Sequence, residues 1–306
     1  MRHAHPLKDV AASVHQRLLN RARKSGRPFN ELLQLYAMER FLYRLSKTRH
    51  AERFVLKGAL MLMAWRGPAS RPTKDIDLLG RMKNDMDAVA LAVRDACRQE
   101  VEPDGMAFDA DSVQMARIAE DAGYEGVRAR LLGSLGKARV FLQIDVGFGD
   151  TVSPAARMVV YPTVLDFPAP RLRGYSREST IAEKFHAMVK REALNSRMRD
   201  FYDVWLLSRQ FDFDGRVLAT AVQKTFANRD TDVPSSSVAL SGAFGEQADK
   251  ATMWRAYVRR SRLGDAPESF AGVVAAVAAF LGPVAAALSG GRDFNKEWEA
   301  GGPWAG

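Results

Sequence analysis

The chain has 306 residues, 47% of them hydrophobic and 26% charged, which is the composition of an ordinary globular protein long enough for one large domain or two lobes. Its single cysteine, Cys97, excludes an internal disulfide, and five histidines without metal-ligand spacing argue against zinc. A formal charge of +9 and a pI near 9.8 point to a polyanionic partner.

Residues 7 to 48 read as two helices broken around Ser25-Gly26-Arg27-Pro28. Arg17 with Arg21, and Arg40 with Arg44, have i,i+4 spacing, so each pair can line one helical face as a solvated basic surface or a nucleic-acid contact. A mixed region follows to about residue 175, with candidate strands at 53–56, 74–80, 124–132, 138–146 and 157–161. Between them Met86 to Val101 is helical in pattern, which makes Cys97 a small core residue and not a nucleophile. From Ser176 onward the pattern is helical, at 178–191, 199–210, 214–228, about 245–261 and 268–288, with a loop at Asp230 to Ser241. Phe270 to Leu288 carries no charge and is long enough to span a bilayer. It is dominated by alanine, interrupted by Gly282-Pro283 and flanked by no cationic cluster, so it reads as a buried packing helix, with no membrane partner. The tail after Gly290 reads as loosely ordered, with no purpose evident for Trp298 and Trp304. The N-terminus lacks the apolar core of a signal peptide, and a cytoplasmic location is expected. These segments divide into an expected lobe at 1–175 and a helical lobe at 176–306.

Chemistry concentrates in four places. In Thr73-Lys74-Asp75-Ile76-Asp77-Leu78 the period of a strand puts Asp75 and Asp77 on one face while Ile76 and Leu78 enter the other. Adjacent carboxylates repel unless a cation sits between them, and Mg²⁺ takes oxygen ligands while leaving room for phosphate oxygens. The pair alone is weak evidence, since a polar strand edge has the same spacing. Upstream, Lys57-Gly58-Ala59 joins a short apolar run to a helical pattern, where a glycine lets backbone approach a phosphate and a helix start offers free N–H groups. Asp145 falls near the end of the apolar run 138–146, where a carboxylate must be received by a metal or a hydrogen-bond network, unless it merely caps the following turn. Asp150 suits that capping role better. Asp75, Asp77 and Asp145 together would supply the carboxylate set that two-metal phosphoryl chemistry needs. Farther on, Lys184 lies in the helical pattern 178–191, and Asp200 and Asp203 lie one turn apart on the next. Lys184 suits a triphosphate as a point charge, but Glu183, Lys184, Arg199 and Asp200 could equally be ion pairs joining two helices.

In their order and spacing these segments resemble the AbiEii/AbiGii toxin family of nucleotidyltransferases, which includes the mycobacterial MenT toxins of toxin–antitoxin pairs. The resemblance rests on Lys57-Gly58-Ala59-Leu60, the Thr73–Leu78 segment, Gln143-Ile144-Asp145-Val146-Gly147-Phe148-Gly149-Asp150, and Ile181-Ala182-Glu183-Lys184 followed by Arg199-Asp200-Phe201-Tyr202-Asp203. It implies an α+β fold: a DNA-polymerase-β-like nucleotidyltransferase core with a mixed sheet, N-terminal helices and a helical C-terminal bundle. It also implies that Asp75 and Asp77 bind metal and that Lys184 and Asp200 belong to the active site. Where the family often has a second glycine or a serine, this chain has Ala59, so nucleotide binding there would rest on backbone N–H groups.

The expected activity is Mg²⁺- or Mn²⁺-dependent transfer of a nucleoside monophosphate from an NTP to a hydroxyl of an RNA, the 3′ end of tRNA among the candidates, or of a protein. In that reading Asp75, Asp77 and Asp145 hold metal, and Asp75, Asp77, Asp145, Lys184 and Asp200 are the catalytic set. Lys57, Gly58, Ala59, Thr73 and Lys184 hold the nucleotide. The expected partners are an NTP, an RNA acceptor and an antitoxin encoded nearby. Metals and a lysine alone do not dictate which phosphorus is attacked, so kinase-type transfer is the alternative, with a non-catalytic nucleotide-sensing RNA-binding module as a third reading.

Overall fold

The computed structural model of the chain describes residues 9–65, 73–121 and 124–306. The described residues form two compact units, one running to Gly149 and including Arg157–Gly174, the other comprising Asp150–Ala156 and Tyr175–Gly306.

The first unit opens with helices α1 (Val10–Ser25) and α2 (Phe29–Lys47), parted where Gly26 adopts a left-handed conformation at φ 68° and Pro28 follows. Asp9 caps α1 by accepting from the amide of Ala12. Strand β1 (Phe54–Lys57), the short helix α3 (Ala59–Ala64), β2 (Asp75–Gly80) and helix α4 (Met86–Arg98) come next. Then follow β3 (Met106–Asp121), β4 (Tyr124–Leu135), β5 (Ala138–Phe148), β6 (Arg157–Val160) and β7 (Arg171–Gly174). The seven strands make one sheet in the order β3-β4-β5-β2-β1-β7-β6. It is mixed: β2 runs parallel to β5 and β1 parallel to β7, and the remaining neighbours are antiparallel.

One face of the sheet is core. Ile76 and Leu78 of β2, Leu142, Ile144 and Val146 of β5, and Val127 and Ala129 of β4 are buried there, in register with one another. Helices α1, α2 and α4 pack against these strands, and Cys97 is buried on α4 with its thiol pushed up to about 12 by that burial. The opposite face carries the alternate residues, Asp75 and Asp77 on β2 and Arg139, Phe141, Gln143 and Asp145 on β5.

Arg40 and Arg44 do not form a basic surface. Arg40 is wholly buried, pairs with Glu39 at 2.6 Å and stacks over Tyr43, while Arg44 makes a two-pronged contact with Asp104 at 2.6 and 2.9 Å. Their i,i+4 spacing puts both on the face of α2 that enters the protein, where each charge needs a buried partner.

The second unit is helical: α5 (Arg177–Arg191), α6 (Met198–Gln210), α7 (Gly215–Asn228), α8 (Gly242–Gly245), α9 (Ala248–Ser261) and α10 (Phe270–Ser289). Helix α10 is long and apolar enough to cross a membrane by length and composition. In this unit it packs against α6, α7, α8 and α9, with Phe270, Val273, Val277, Phe280, Leu281 and Val284 buried. The tail departs from expectation. Strands β8 (Phe213–Asp214), β9 (Glu297–Trp298) and β10 (Trp304–Ala305) form a small antiparallel sheet. Trp298 donates to the carbonyl of Ser208 at 2.7 Å and Trp304 to that of Phe280 at 2.8 Å, so both indoles are anchors that close the end of the bundle.

Candidate active site

In the first unit the carboxylates gather where β2 and β5 run side by side. The parallel register sets Asp77 opposite Asp145 and Asp75 opposite Gln143, so alternation delivers all three acids to the one non-core face. Asp75 and Asp77 are half-buried and Asp145 is buried. On the other flank Lys57 of β1 is the register partner of Asp77.

Gly58 joins β1 to α3 at φ 69° and ψ −151°, a backbone region that is essentially glycine's alone. A side chain there would meet Asp77, since a Cβ would sit 2.0 Å from its Oδ2 and 2.9 Å from its Cβ. The glycine is what lets the Asp77 carboxylate lie against the β1–α3 junction. Ala59 is buried, and α3 has only six residues. Thr73 sits just before β2, with Oγ1 about the Asp75 backbone at 3.4 and 3.5 Å, at the long limit for hydrogen bonds. The middle of this stretch, residues 66–72, lies outside the described residues.

Asp145 is received by a residue that the sequence reading did not single out. Arg128, its register partner on β4, donates from Nε to Oδ1 and from Nη2 to Oδ2, both at 2.7 Å, and Gln143 adds a contact at 3.3 Å. The hydrogen bonds to Asp145 raise the guanidinium above its already high value, with the charges of Asp145, Asp75 and Asp77 adding to this against the penalty of burial. The signal was available in principle: an arginine alternating with Val127 and Ala129 in a strand must face away from the core.

Hard oxygen donors on one strand face fit a divalent cation. Asp75 and Asp77 offer them side by side, whereas both oxygens of Asp145 accept from Arg128. Among the described residues no group of three His, Cys, Asp or Glu side chains has the geometry of a metal site.

The second unit holds the other cluster. Lys184 on α5 places Nζ 2.7 Å from Asp200 Oδ1 and 2.7 Å from Asp203 Oδ2, both carboxylates on α6 and both buried. The helix-joining ion pair is therefore real, and Asp203 shares it. Nearby, Arg229 pairs with Asp150 at 2.9 Å and contacts His186 Nδ1 at 3.2 Å, while Tyr175 donates to Glu183 at 2.9 Å. Asp150 thus serves as an ion-pair partner.

A mixed sheet with helices on its core face and paired carboxylates on the other, accompanied by a helical unit, is an α+β nucleotidyltransferase fold. The chain belongs to the AbiEii family: the family model described as "Nucleotidyl transferase AbiEii toxin, Type IV TA system" matches residues 40–276. It is accordingly a nucleotidyltransferase of a toxin–antitoxin family. No curated protein matches it. Two solved structures from Helicobacter pylori are similar, each at 16% identity, a TM-score of 0.45 and 85% of this chain: a "putative nucleotidyltransferase", covered over 95% of its length, and JHP933, covered over 92%.

Proposed function

We propose that the protein transfers a nucleoside monophosphate from an NTP to a terminal hydroxyl of an RNA, in a reaction supported by Mg²⁺ or Mn²⁺. The observation that carries this reading is the convergence of Asp75, Asp77 and Asp145 on one sheet face beside the Gly58 junction. Asp75 and Asp77 would hold the metal, with Asp145 joining them on release from Arg128. A bound divalent ion would supply charge neutralisation for the triphosphate and for the attacking oxygen. The chain's own groups orient the acceptor. Its hydroxyl oxygen forms a bond to the α-phosphorus, the bond from that phosphorus to the bridging oxygen breaks, and pyrophosphate leaves. The hydroxyl proton passes to a carboxylate of the set. Lys57, Thr73 and the backbone of Gly58 and Ala59 are the nucleotide contacts of this proposal. Lys184 and Asp200 belong to it on the strength of the sequence resemblance alone, Lys184 as the countercharge to the triphosphate.

The acceptor is RNA in this proposal because the chain carries a formal charge of +9, and the 3′ end of a tRNA offers a suitable hydroxyl. Transfer to an RNA pool in the cytoplasm would stop translation, the effect expected of a toxin held in check by an antitoxin encoded nearby, and would serve defence against phage. The test uses cellular RNA and NTPs labelled separately at the α- and γ-phosphates. Label from α in RNA, lost in Asp77→Asn, is the expected result. Label from γ alone would make the protein a kinase, and binding without transfer a sensor.

A further inference from the structure

The non-core face of the sheet continues well beyond the carboxylates. Four residues along β5 from Asp145, about 13 Å at the rise of a strand, Phe141 stands on the same face with 75% of its surface exposed. On β5 this face otherwise carries Arg139, Gln143 and Asp145, so a phenylalanine this exposed in mid-strand stands out, with Leu132 of β4 as its register partner. Around it the face is basic. Arg139 lies two residues farther along β5, and Arg130 on β4 is the register partner of Gln143; both are exposed. Beyond them a cavity of about 570 Å³ is lined by Leu132, Ser134, Lys137 and Arg139 among others. Asp109 also lines it, with one carboxylate oxygen engaged by the amides of Asp111 and Ser112. The acid nearest the carboxylate pair, Asp145, is already countered by Arg128.

We infer that this face is the track for the acceptor: a single-stranded RNA end lies along β5 and β4, with one base stacked on Phe141, flanking phosphates against Arg130 and Arg139, and the terminal hydroxyl at Asp75 and Asp77. An aromatic platform amid cations is how single strands are held without sequence readout, because every base has a π-face and every nucleotide a phosphate. A purely apolar partner would gain nothing from Arg130 and Arg139, and a base of the NTP seated on Phe141 in place of the acceptor's would show as a raised KM for NTP in Phe141→Ala, which would overturn the inference. The inference rests on the RNA reading above and deepens it.

The test measures the Kd of a short single-stranded RNA with a free 3′ hydroxyl, and KM for that RNA and for NTP, in wild type, Phe141→Ala, Phe141→Trp and the double variant Arg130→Gln/Arg139→Gln. All three side chains are exposed, so the fold should survive. Phe141→Ala should raise Kd and the acceptor KM about tenfold, within the range for one stacked base, and leave the KM for NTP unchanged. Phe141→Trp should restore both. The double variant should flatten the slope of log K against log salt by about 1.4, the contribution of two phosphates on a single strand. Wild-type acceptor KM and Kd in Phe141→Ala and the double variant, with RNA still labelled, would overturn this inference alone. Loss of antitoxin binding in those variants with RNA parameters intact would overturn it in favour of a protein surface. A wild type that neither binds nor labels RNA would remove the RNA reading and this inference together.

Discussion

Replacing Gly58 by alanine tests the site through geometry without touching any charge. At φ 69° and ψ −151° an alanine backbone is strained by about 1–3 kcal/mol. The added methyl would meet Asp77 Oδ2 at 2.0 Å, Cγ at 2.8 Å and Cβ at 2.9 Å, against an ordinary separation of about 3.5–4.0 Å. Rotating the carboxylate relieves the first contact but not the last, because Cβ is fixed to the strand. The β1–α3 junction and Asp77 must therefore part by the order of 1 Å, and a misplacement of that size at a reacting centre costs about 10²-fold. We expect kcat/KM to fall by about that factor and Tm by roughly 2–4 °C for each kcal/mol of strain. The assay is α-label transfer per folded molecule, well below the Tm of the variant. Turnover within about threefold of wild type would refute the reasoning, because the close approach of Gly58 to Asp77 would then have no catalytic consequence.

Two other outcomes follow from buried charges. Lys184→Ala leaves Asp200 and Asp203 without their shared ammonium, so the unfolding free energy should fall by about 3–5 kcal/mol, as for a broken buried pair, and Tm with it; Lys184→Ala/Asp203→Asn should recover part of the Tm and none of the transfer, and recovered transfer would reduce Lys184 to a structural role. Burial pushes Glu39 from an ordinary 4.5 up to about 7 against the opposing charge of Arg40, so between those pH values the folded chain holds a proton that the unfolded chain releases. Its contribution to stability is then complete below about 4.5 and lost as pH rises through about 7, so the unfolding free energy of wild type should fall relative to that of Glu39→Gln over that window; a flat difference in urea titrations would refute it.

The sequence announced most of the elements and the order of the site. The break at Ser25–Pro28 and strands β2 and β5 lie where hydrophobic period and turn residues put them, as do α5, α6, α7, α9 and α10, within a few residues, while the one-turn α8 went unread. Two strands of the seven-stranded sheet went unread for identifiable reasons. In β3 the Asp109–Ser112 segment interrupts the alternation, because the strand shifts register there and Asp109 turns back onto the amides of Asp111 and Ser112. In β7 only Leu172 and Gly174 are buried, too short a signal between two arginines. The tail was misjudged because Trp298 and Trp304 have no periodic apolar neighbours in sequence. Their partners, Phe280 and Phe294, come from α10 and from the tail itself. Arg40 and Arg44 were misjudged because spacing reports a shared face without saying which way it turns.

The site shows why pairing carries what spacing cannot. Asp75 and Asp77 share a face in any extended strand, but Asp145 reaches them only because β2 and β5 pair in parallel, with Asp77 opposite Asp145. That register is held from the far side of the sheet. Ile76 faces Ile144 and Leu78 faces Val146 in the core, and a slip by one residue would exchange them for the carboxylates. Burying ionised carboxylates among apolar side chains costs far more than any local gain could offset, so the core excludes the slipped pairing. The same alternation governs β4, where Val127 and Ala129 are buried and Arg128 between them must face the acids. Apolar residues that never meet a substrate thus fix which acids stand together and which arginine answers them. A core substitution that loosened the β2–β5 register would then disturb the chemistry before it unfolded the protein, because the site needs that register and the core needs only burial.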